Sequence, residues 1–271
     1  MIFENGREIP LWPGKPVLCH GDREGVDIPT ITPYFPPAWN ANGKALVIYP
    51  GGAYSHLAEH EGRGYAEYFA ARGFHCFVVK YRVGGKNDYH HPVELSDGAR
   101  AVRLIRAAAG ELGIRPDCVG VMGSSAGGHL AAAVCNMHEQ GLQSPDEGEV
   151  AGVSSRPDFA VLCYAVISSD PAIAHMNSFR FLLGDAGFSE TNCRKHSQEL
   201  LVSAQTPPTF LWHTMEDKSV PCENSLVYAE ALRKVGVPFE LHIYEKGPHG
   251  QGLFRGHPWA EECVRWLNQG L

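Results

Sequence analysis

The 271-residue sequence has no C-x-x-C pair among its eight cysteines, no Lys/Arg cluster, no apolar stretch of membrane-spanning length, and no internal repeat or low-complexity tract. Each absence removes a class of function. Cys19, Cys76, Cys118, Cys135, Cys163, Cys193, Cys222 and Cys263 are scattered, and Cys76, Cys118 and Cys163 sit inside apolar runs. They read as buried thiols, not as a disulfide framework or a zinc site. Lys and Arg number 23 against 30 Asp and Glu, a formal charge of −7, which disfavours nucleic acid and anionic membrane as partners. The opening residues MIFENGREIPLW lack the basic segment and long apolar run of a signal peptide, so the chain is expected to be cytoplasmic.

What is present is a rhythm. Residues 1–44, rich in Pro, Gly and Asn, are expected to wrap the N-terminal side with loop and short strands. From residue 45, short apolar runs alternate with helical patterns. The runs are ALVIYP (45–50), HCFVVKY (75–81), CVGVM (118–122), FAVLCYAV (159–166), TFLWH (209–213) and FELHIY (239–244). Unbroken apolar runs suit parallel strands covered on both faces. Helices are expected at 62–73, 94–113, 125–138, 222–236 and 261–269. In the second, Leu95, Ala99, Val102, Ile105, Ala109 and Leu112 recur at steps of three and four, with Gly113 and Gly236 as stops. The alternation predicts a single α/β domain over 1–271, a doubly wound, mostly parallel sheet with helices on both faces. Residues 170–206 break the rhythm and are expected to form an insertion over the carboxyl ends of the strands, where such sheets bind ligands.

One stretch carries chemistry. Gly123-Ser124-Ser125-Ala126-Gly127 fits G-x-S-x-G and lies between a strand and a helix, where a sharp strained turn presents a nucleophilic serine. A serine hydroxyl needs a base and an orienting acid, which follow it in the order Ser, Asp/Glu, His. Asp217, with Glu216 as the alternative acid, lies in the loop after TFLWH. His249 lies in the Gly/Pro-rich loop after FELHIY, with His257 as a weaker rival; His90 and His91 precede the last strand and fit less well. Acyl transfer also needs donors for an oxyanion. Pro50-Gly51-Gly52-Ala53-Tyr54, directly after a strand, and the Ala126 N–H at a helix start can supply them. Tyr54, beside that loop, is a candidate for contact with substrate, and Trp12, Trp212 and Trp259 are candidates either for a sugar cleft or for the core. Tyr81-Arg82 reads as an anchor for the loop after its strand, and Asp97 with Arg100 as a structural pair on the next helix.

PGGAY, the YR at 81–82, GSSAGGHLAA, the D-x-x-V-P at 217–221 and GPHGQGL at 247–253 together resemble the α/β-hydrolase superfamily, and within it a lipase/esterase branch of acetyl esterases and acetylxylan esterases. The resemblance runs from about residue 45 to the C-terminus. It implies a triad of Ser125, Asp217 and His249, and an oxyanion hole of Gly52, Ala53 and Ala126. It further implies hydrolysis of short acyl esters on a small acylated substrate, an acetylated saccharide among the candidates, with no metal and no cofactor. A homo-oligomer is compatible with the sequence. Two departures stand out: related lipases often carry His-Gly-Gly-Gly where this chain has Pro50-Gly51-Gly52-Ala53, and nothing in 170–206 resembles a long lipid-binding lid. Amide hydrolysis of the arylformamidase or peptidase kind, and a non-catalytic binding module on the same fold, are the competing readings.

Overall fold

The computed structural model describes residues 3–144, 148–253 and 256–269; Met1 and Ile2 of the expected N-terminal wrap lie outside the described residues. The apolar runs form strands at β3 (Ala45–Tyr49), β4 (His75–Lys80), β5 (Val119–Ser124), β6 (Ala160–Cys163), β7 (Thr209–Thr214) and β8 (Phe239–Tyr244), preceded by β1 (Ile9–Pro10) and β2 (Thr30–Tyr34). Every residue of β3, β5, β6 and β7 is buried, which is why these runs show no alternation. Among the described residues the strands make one sheet in the order β1-β2-β4-β3-β5-β6-β7-β8. β3 to β8 are mutually parallel. β2 runs antiparallel to β4, and β1 antiparallel to β2, so the N-terminal wrap extends the sheet by an antiparallel edge.

The helices are α1 (Arg63–Ala70), α2 (Val93–Ala107), α3 (Ala109–Leu112), α4 (Ser125–Asn136), α5 (Met176–Gly187), α6 (Glu190–Lys195), α7 (Glu223–Val235) and α8 (Trp259–Gln269). Gly113 and Gly236, both left-handed, end α3 and α7 at the expected stops. Two apolar layers sandwich the sheet. Val102 and Ile105 of α2, Leu130 and Val134 of α4, and Tyr228 and Leu232 of α7 pack on Val47, Val121 and Leu162. On the other face Tyr65 and Phe69 of α1 and Trp259, Cys263 and Leu267 of α8 pack on Ile48, Met122 and Trp212. Trp212 and Trp259 stack with centroids 4.7 Å apart, and Trp12, Trp212 and Trp259 are all buried, so the three belong to the core. All eight cysteines are free thiols. No helix among the described residues is long and apolar enough to cross a membrane. The segment 170–206 contributes α5 and α6, and its Phe179 and Leu182 meet Tyr54, His129 and Val166, which follow the carboxyl ends of β3, β5 and β6.

Asp97 does not use Arg100 as its partner in the way helix spacing suggests. Its carboxylate faces the sheet, where it accepts Arg82 Nε at 2.9 Å, Arg82 Nη2 at 2.7 Å, the Arg82 amide at 3.1 Å and Trp12 Nε1 at 3.0 Å. Arg100 instead donates from Nε to the Leu11 carbonyl. Arg82 and Asp97 are both sealed from solvent, so each charge is tolerable only in the presence of the other. Removing one leaves an uncompensated interior charge. Asp97→Asn is therefore expected to lower the unfolding free energy by about 3–5 kcal/mol; urea denaturation at neutral pH measures it, and a change below about 1 kcal/mol would show that the pair is dispensable.

Candidate active site

β5 stops at Ser124 and α4 starts at Ser125, whose backbone is left-handed at φ 52°. A non-glycine residue rarely holds that conformation unless its surroundings force it. Here they do: Gly127 passes so close to the end of β3 that a Cβ would run into the carbonyl oxygens of Tyr49 and Pro50, and Val166 donates its amide to the Ser125 carbonyl at 3.0 Å. Ser124 is buried and its Oγ lies 3.0 Å from the Tyr65 hydroxyl, so it is the structural member of the serine pair.

Ser125 Oγ lies 2.8 Å from His249 Nε2, and His249 Nδ1 lies 2.6 Å from Asp217 Oδ2. The loops after β5, β7 and β8 thus deliver the three residues to one point. Asp217 is an acceptor throughout: Oδ1 takes the amides of Ser219 and Val220, each at 2.9 Å, while Oδ2 takes Nδ1–H of His249 and lies 3.3 Å from Nε2 of the buried His213. Burial alone would raise the Asp217 carboxyl, but the nearby His213 ring and the hydrogen bond from His249 outweigh it and hold the group well below the usual carboxylate range. A permanent carboxylate at Nδ1 fixes the imidazole tautomer and leaves Nε2 as the acceptor for the serine proton.

The rivals are accounted for. Glu216 turns the other way, bonding Lys246 Nζ at 3.1 Å and the Gly247 amide at 3.0 Å. His257 accompanies the Lys246 carbonyl and stacks on Tyr244. His90 is held by Asp88 and the Phe181 carbonyl, and His91 by Glu94.

The loop after β3 has three successive positive φ angles, 125° at Gly52, 55° at Ala53 and 61° at Tyr54. Its carbonyls turn inward: Gly51 O accepts the Ala58 amide at 2.9 Å, and Gly52 O accepts those of Ser55 and His56 at 2.9 and 3.2 Å. In a trans peptide the N–H points opposite to the preceding C=O, so the Gly52 and Ala53 amides point out of the turn. The Ala126 amide, in the first turn of α4, has no helical acceptor. Tyr54 departs from the expectation of substrate contact. Its side chain is 1% exposed and its hydroxyl lies 2.8 Å from His129 Nδ1, so it braces the loop from inside the core.

Three buried groups escape the sequence reading: His213, Glu61 and Tyr164. Each lies just before or just beyond a motif, at the carboxyl end of a strand or the far side of a loop, and that position is the one signal they give. As for metals, the one His/carboxylate group among the described residues close enough to share a cation is Glu240, His242 and Glu262. It lies toward the amino end of β8, away from Ser125, and Arg265 already pairs with both of its carboxylates.

The BD-FAE family pattern matches residues 32–232, a stretch that contains Ser125 and Asp217. The chain belongs to the BD-FAE family. It is 34% identical over 236 residues to an acetylxylan esterase of Xylanibacter ruminicola, covering 86% of this chain and 46% of that protein. It is 36% identical over 206 residues to endo-1,4-beta-xylanase B of Butyrivibrio fibrisolvens, covering 76% of this chain and 32% of that protein. The chain therefore spans less than half the length of these curated relatives. Among solved structures it is similar to an acetyl ester-xyloside bifunctional hydrolase from Caldicellulosiruptor lactoaceticus, with a TM-score of 0.86 and 39% identity over 98% of this chain and 96% of that one. This BD-FAE member is an acetyl-esterase-like α/β-hydrolase, and the expected doubly wound, mostly parallel sheet of that fold is borne out.

Behind the loop after β3 of this BD-FAE chain, His129 of α4 joins three elements. Nε2–H donates to the His196 carbonyl at 2.8 Å, and Nδ1 accepts the Tyr54 hydroxyl. Burial holds the ring neutral, its pKa pushed down to about 4. The unfolded chain, with an ordinary histidine near 6.5, takes up this proton first. The contribution to stability is thus complete above about pH 6.5 and is lost as pH falls toward 4, a loss on the order of 3 kcal/mol. His129→Gln keeps one donor and one acceptor without the titration. Urea unfolding between pH 6 and 5 is expected to show a pH slope smaller by about one proton in the variant; an unchanged slope would mean that His129 is protonated in the folded protein.

Proposed function

We propose that this chain is a serine carboxylic-ester hydrolase that removes acetyl groups from xylan-derived saccharides. The observation that carries the reading is the unbroken line Ser125 Oγ, His249 Nε2, His249 Nδ1, Asp217 Oδ2, with 2.8 and 2.6 Å links. Ser125 Oγ attacks the ester carbonyl while Nε2 takes the hydroxyl proton. Charge then builds on the carbonyl oxygen, and the amides of Gly52, Ala53 and Ala126 receive it in this reading. The imidazolium formed is stabilised by the Asp217 carboxylate. It returns its proton to the departing sugar oxygen, leaving an acyl group on Ser125. Water, deprotonated by the same Nε2, repeats the sequence and releases the acid.

The acetyl and saccharide parts are supported by likeness to the acetylxylan esterase and to the acetyl ester-xyloside hydrolase. A glycoside bond asks for a different apparatus, a carboxylic acid and a carboxylate flanking the bond, whereas here a serine holds the attacking position.

Hydrolysis of 4-nitrophenyl acetate, butyrate and octanoate, and acetate release from acetylated xylo-oligosaccharides, test this. The wild type is expected to act fastest on acetate and to lose rate steeply with chain length. Ser125→Ala is expected to lower kcat by about 10⁶-fold, and Asp217→Asn by about 10⁴-fold through loss of the correct tautomer. Full activity in Ser125→Ala would sink the mechanism. Equal rates on acetate and octanoate would remove the acetyl preference, and turnover of an N-formyl arylamine with inert esters would favour amide chemistry.

A further inference from the structure

One interior carboxylate outside the triad touches both halves of the site. Glu61 closes the turn Glu59–Glu61 that follows the oxyanion loop, and it is 2% exposed. Its two oxygens have different tasks. Oε2 accepts the Gly51 amide at 2.8 Å, and Oε1 accepts the Tyr164 hydroxyl at 2.7 Å. An acceptor role at both oxygens is what an ionised carboxylate provides. The closest cationic candidate is the exposed His60, whose Nε2 lies 3.8 Å from Oε1, too far for a hydrogen bond. The group is therefore held inside mainly by two neutral donors, an arrangement that a packing role alone does not call for.

Both donors lead to the reacting atoms. Gly51 is the residue before the two outward amides, and a side chain there would strike Glu61 Oε2, the Ser124 carbonyl and Ser125 Cβ together, so the loop, the acid and the nucleophile converge at this point. Fixing the Gly51 amide fixes the start of the strained run Gly52, Ala53, Tyr54. Tyr164, just past the end of β6, is itself left-handed at φ 36°. Its hydroxyl donates to Glu61, accepts the Gly252 amide at 3.0 Å and lies 3.1 Å from the Tyr65 hydroxyl, which in turn meets Ser124 Oγ. Its ring also meets the His249 ring edge-on at 5.1 Å between centroids. Gly252 is three residues beyond His249, and the neighbouring His60 holds the Gly250 carbonyl from Nε2 at 3.0 Å.

We propose that Glu61 is a positioning residue for catalysis: through Gly51 it sets the oxyanion donors, and through Tyr164 and Gly252 it sets the loop that carries His249. The inference rests on the serine-hydrolase reading of Ser125, Asp217 and His249. Strained backbone gathered at Ala53, Tyr54, Ser125 and Tyr164 needs surroundings that over-determine it, and Glu61 is the group that ties the oxyanion side of that cluster to the histidine side.

The test uses the full chain with 4-nitrophenyl acetate and with a trifluoromethyl ketone inhibitor, whose tetrahedral adduct needs the oxyanion donors. Glu61→Gln retains an acceptor for Gly51 and forces the Tyr164 hydroxyl to reverse its hydrogen bond. Glu61→Ala leaves both donors unpaired, and Tyr164→Phe removes one hydroxyl while keeping the ring. Losing an oxyanion donor outright costs about 100- to 1,000-fold. Glu61→Gln and Tyr164→Phe are expected to lower kcat by about 10-fold and Glu61→Ala by about 100-fold, below that ceiling, with KM changed by less than about threefold. The inhibition constant of the ketone is expected to rise in step with the loss of kcat/KM. The Glu61→Gln/Tyr164→Phe double variant is expected to be much less damaged than the product of the two single effects. Leu104→Ala, in the core of α2, serves as a control that lowers the melting temperature while leaving kcat per folded molecule unchanged.

Retention of kcat and of ketone affinity within twofold by Glu61→Gln and Tyr164→Phe would overturn the proposal. So would losses in active fraction that follow melting temperature as they do in Leu104→Ala. If Glu61→Ala does not fold, the other two variants decide. Ser125→Ala measured alongside separates the cases, because its full activity would defeat the triad reading itself, whereas its inactivity beside unaffected Glu61 variants would defeat this inference alone.

Discussion

Ser125 holds a backbone conformation that it would not choose, and the arrangement of the sheet follows from keeping it there. A left-handed φ of 52° brings the chain from the end of β5 straight into α4 with the serine at the apex. That turn is possible only where small residues let the helix lie against the neighbouring strand, and Gly127 meets the Tyr49 and Pro50 carbonyls at and just past the end of β3 with nothing between them. Ser125 is therefore set in the middle of a sheet whose central strands are buried on both faces. Its position is fixed by backbone and packing, and the partners are brought to it from loops farther along the sheet.

Electrostatics completes what packing begins. Asp217 is surrounded by donors on both oxygens, so its charge persists at pH values where an ordinary carboxylate would be protonated. Glu61 is likewise enclosed and doubly hydrogen-bonded. Two buried carboxylates thus reach the surroundings of Ser125 through intermediaries, one bonded to an imidazole and the other to a glycine amide and a tyrosine hydroxyl. Arg82 and Asp97 form a separate buried pair that joins the end of β4 to α2 and to the N-terminal segment, through Trp12 and the Val17 carbonyl.

Much of this was legible in the sequence because the signals were periodic or punctuated. Unbroken apolar runs bounded by Gly and Pro marked the six parallel strands to within a few residues, and the stops at Gly113 and Gly236 fell where a left-handed residue ends a helix. Ser125, Asp217 and His249 were readable because each follows a strand in the order the chemistry requires. What was not legible depends on which way a side chain turns. Asp97 sits one helical turn from Arg100 yet faces Arg82, and Tyr54 lies in the loop after β3 yet points into the core. Glu61 and His213 show no spacing signature, since their partners Tyr164 and Asp217 are made adjacent by the fold or by a turn whose direction the sequence does not specify.

The antiparallel edge bears on where the described ends of the chain lie. β2 ends beside the start of β4, with Tyr34 opposite Cys76, and residues 5 and 6 hydrogen-bond there to Phe35 and Pro33. At the other end α8 runs back toward the amino ends of the strands, where the Leu267 carbonyl receives Lys44 Nζ. Both described ends of the chain thus emerge on the side of the sheet opposite Ser125. The side of the sheet that carries Ser125 is thus left clear of both described ends, much as a tool is held by the end that does not touch the work.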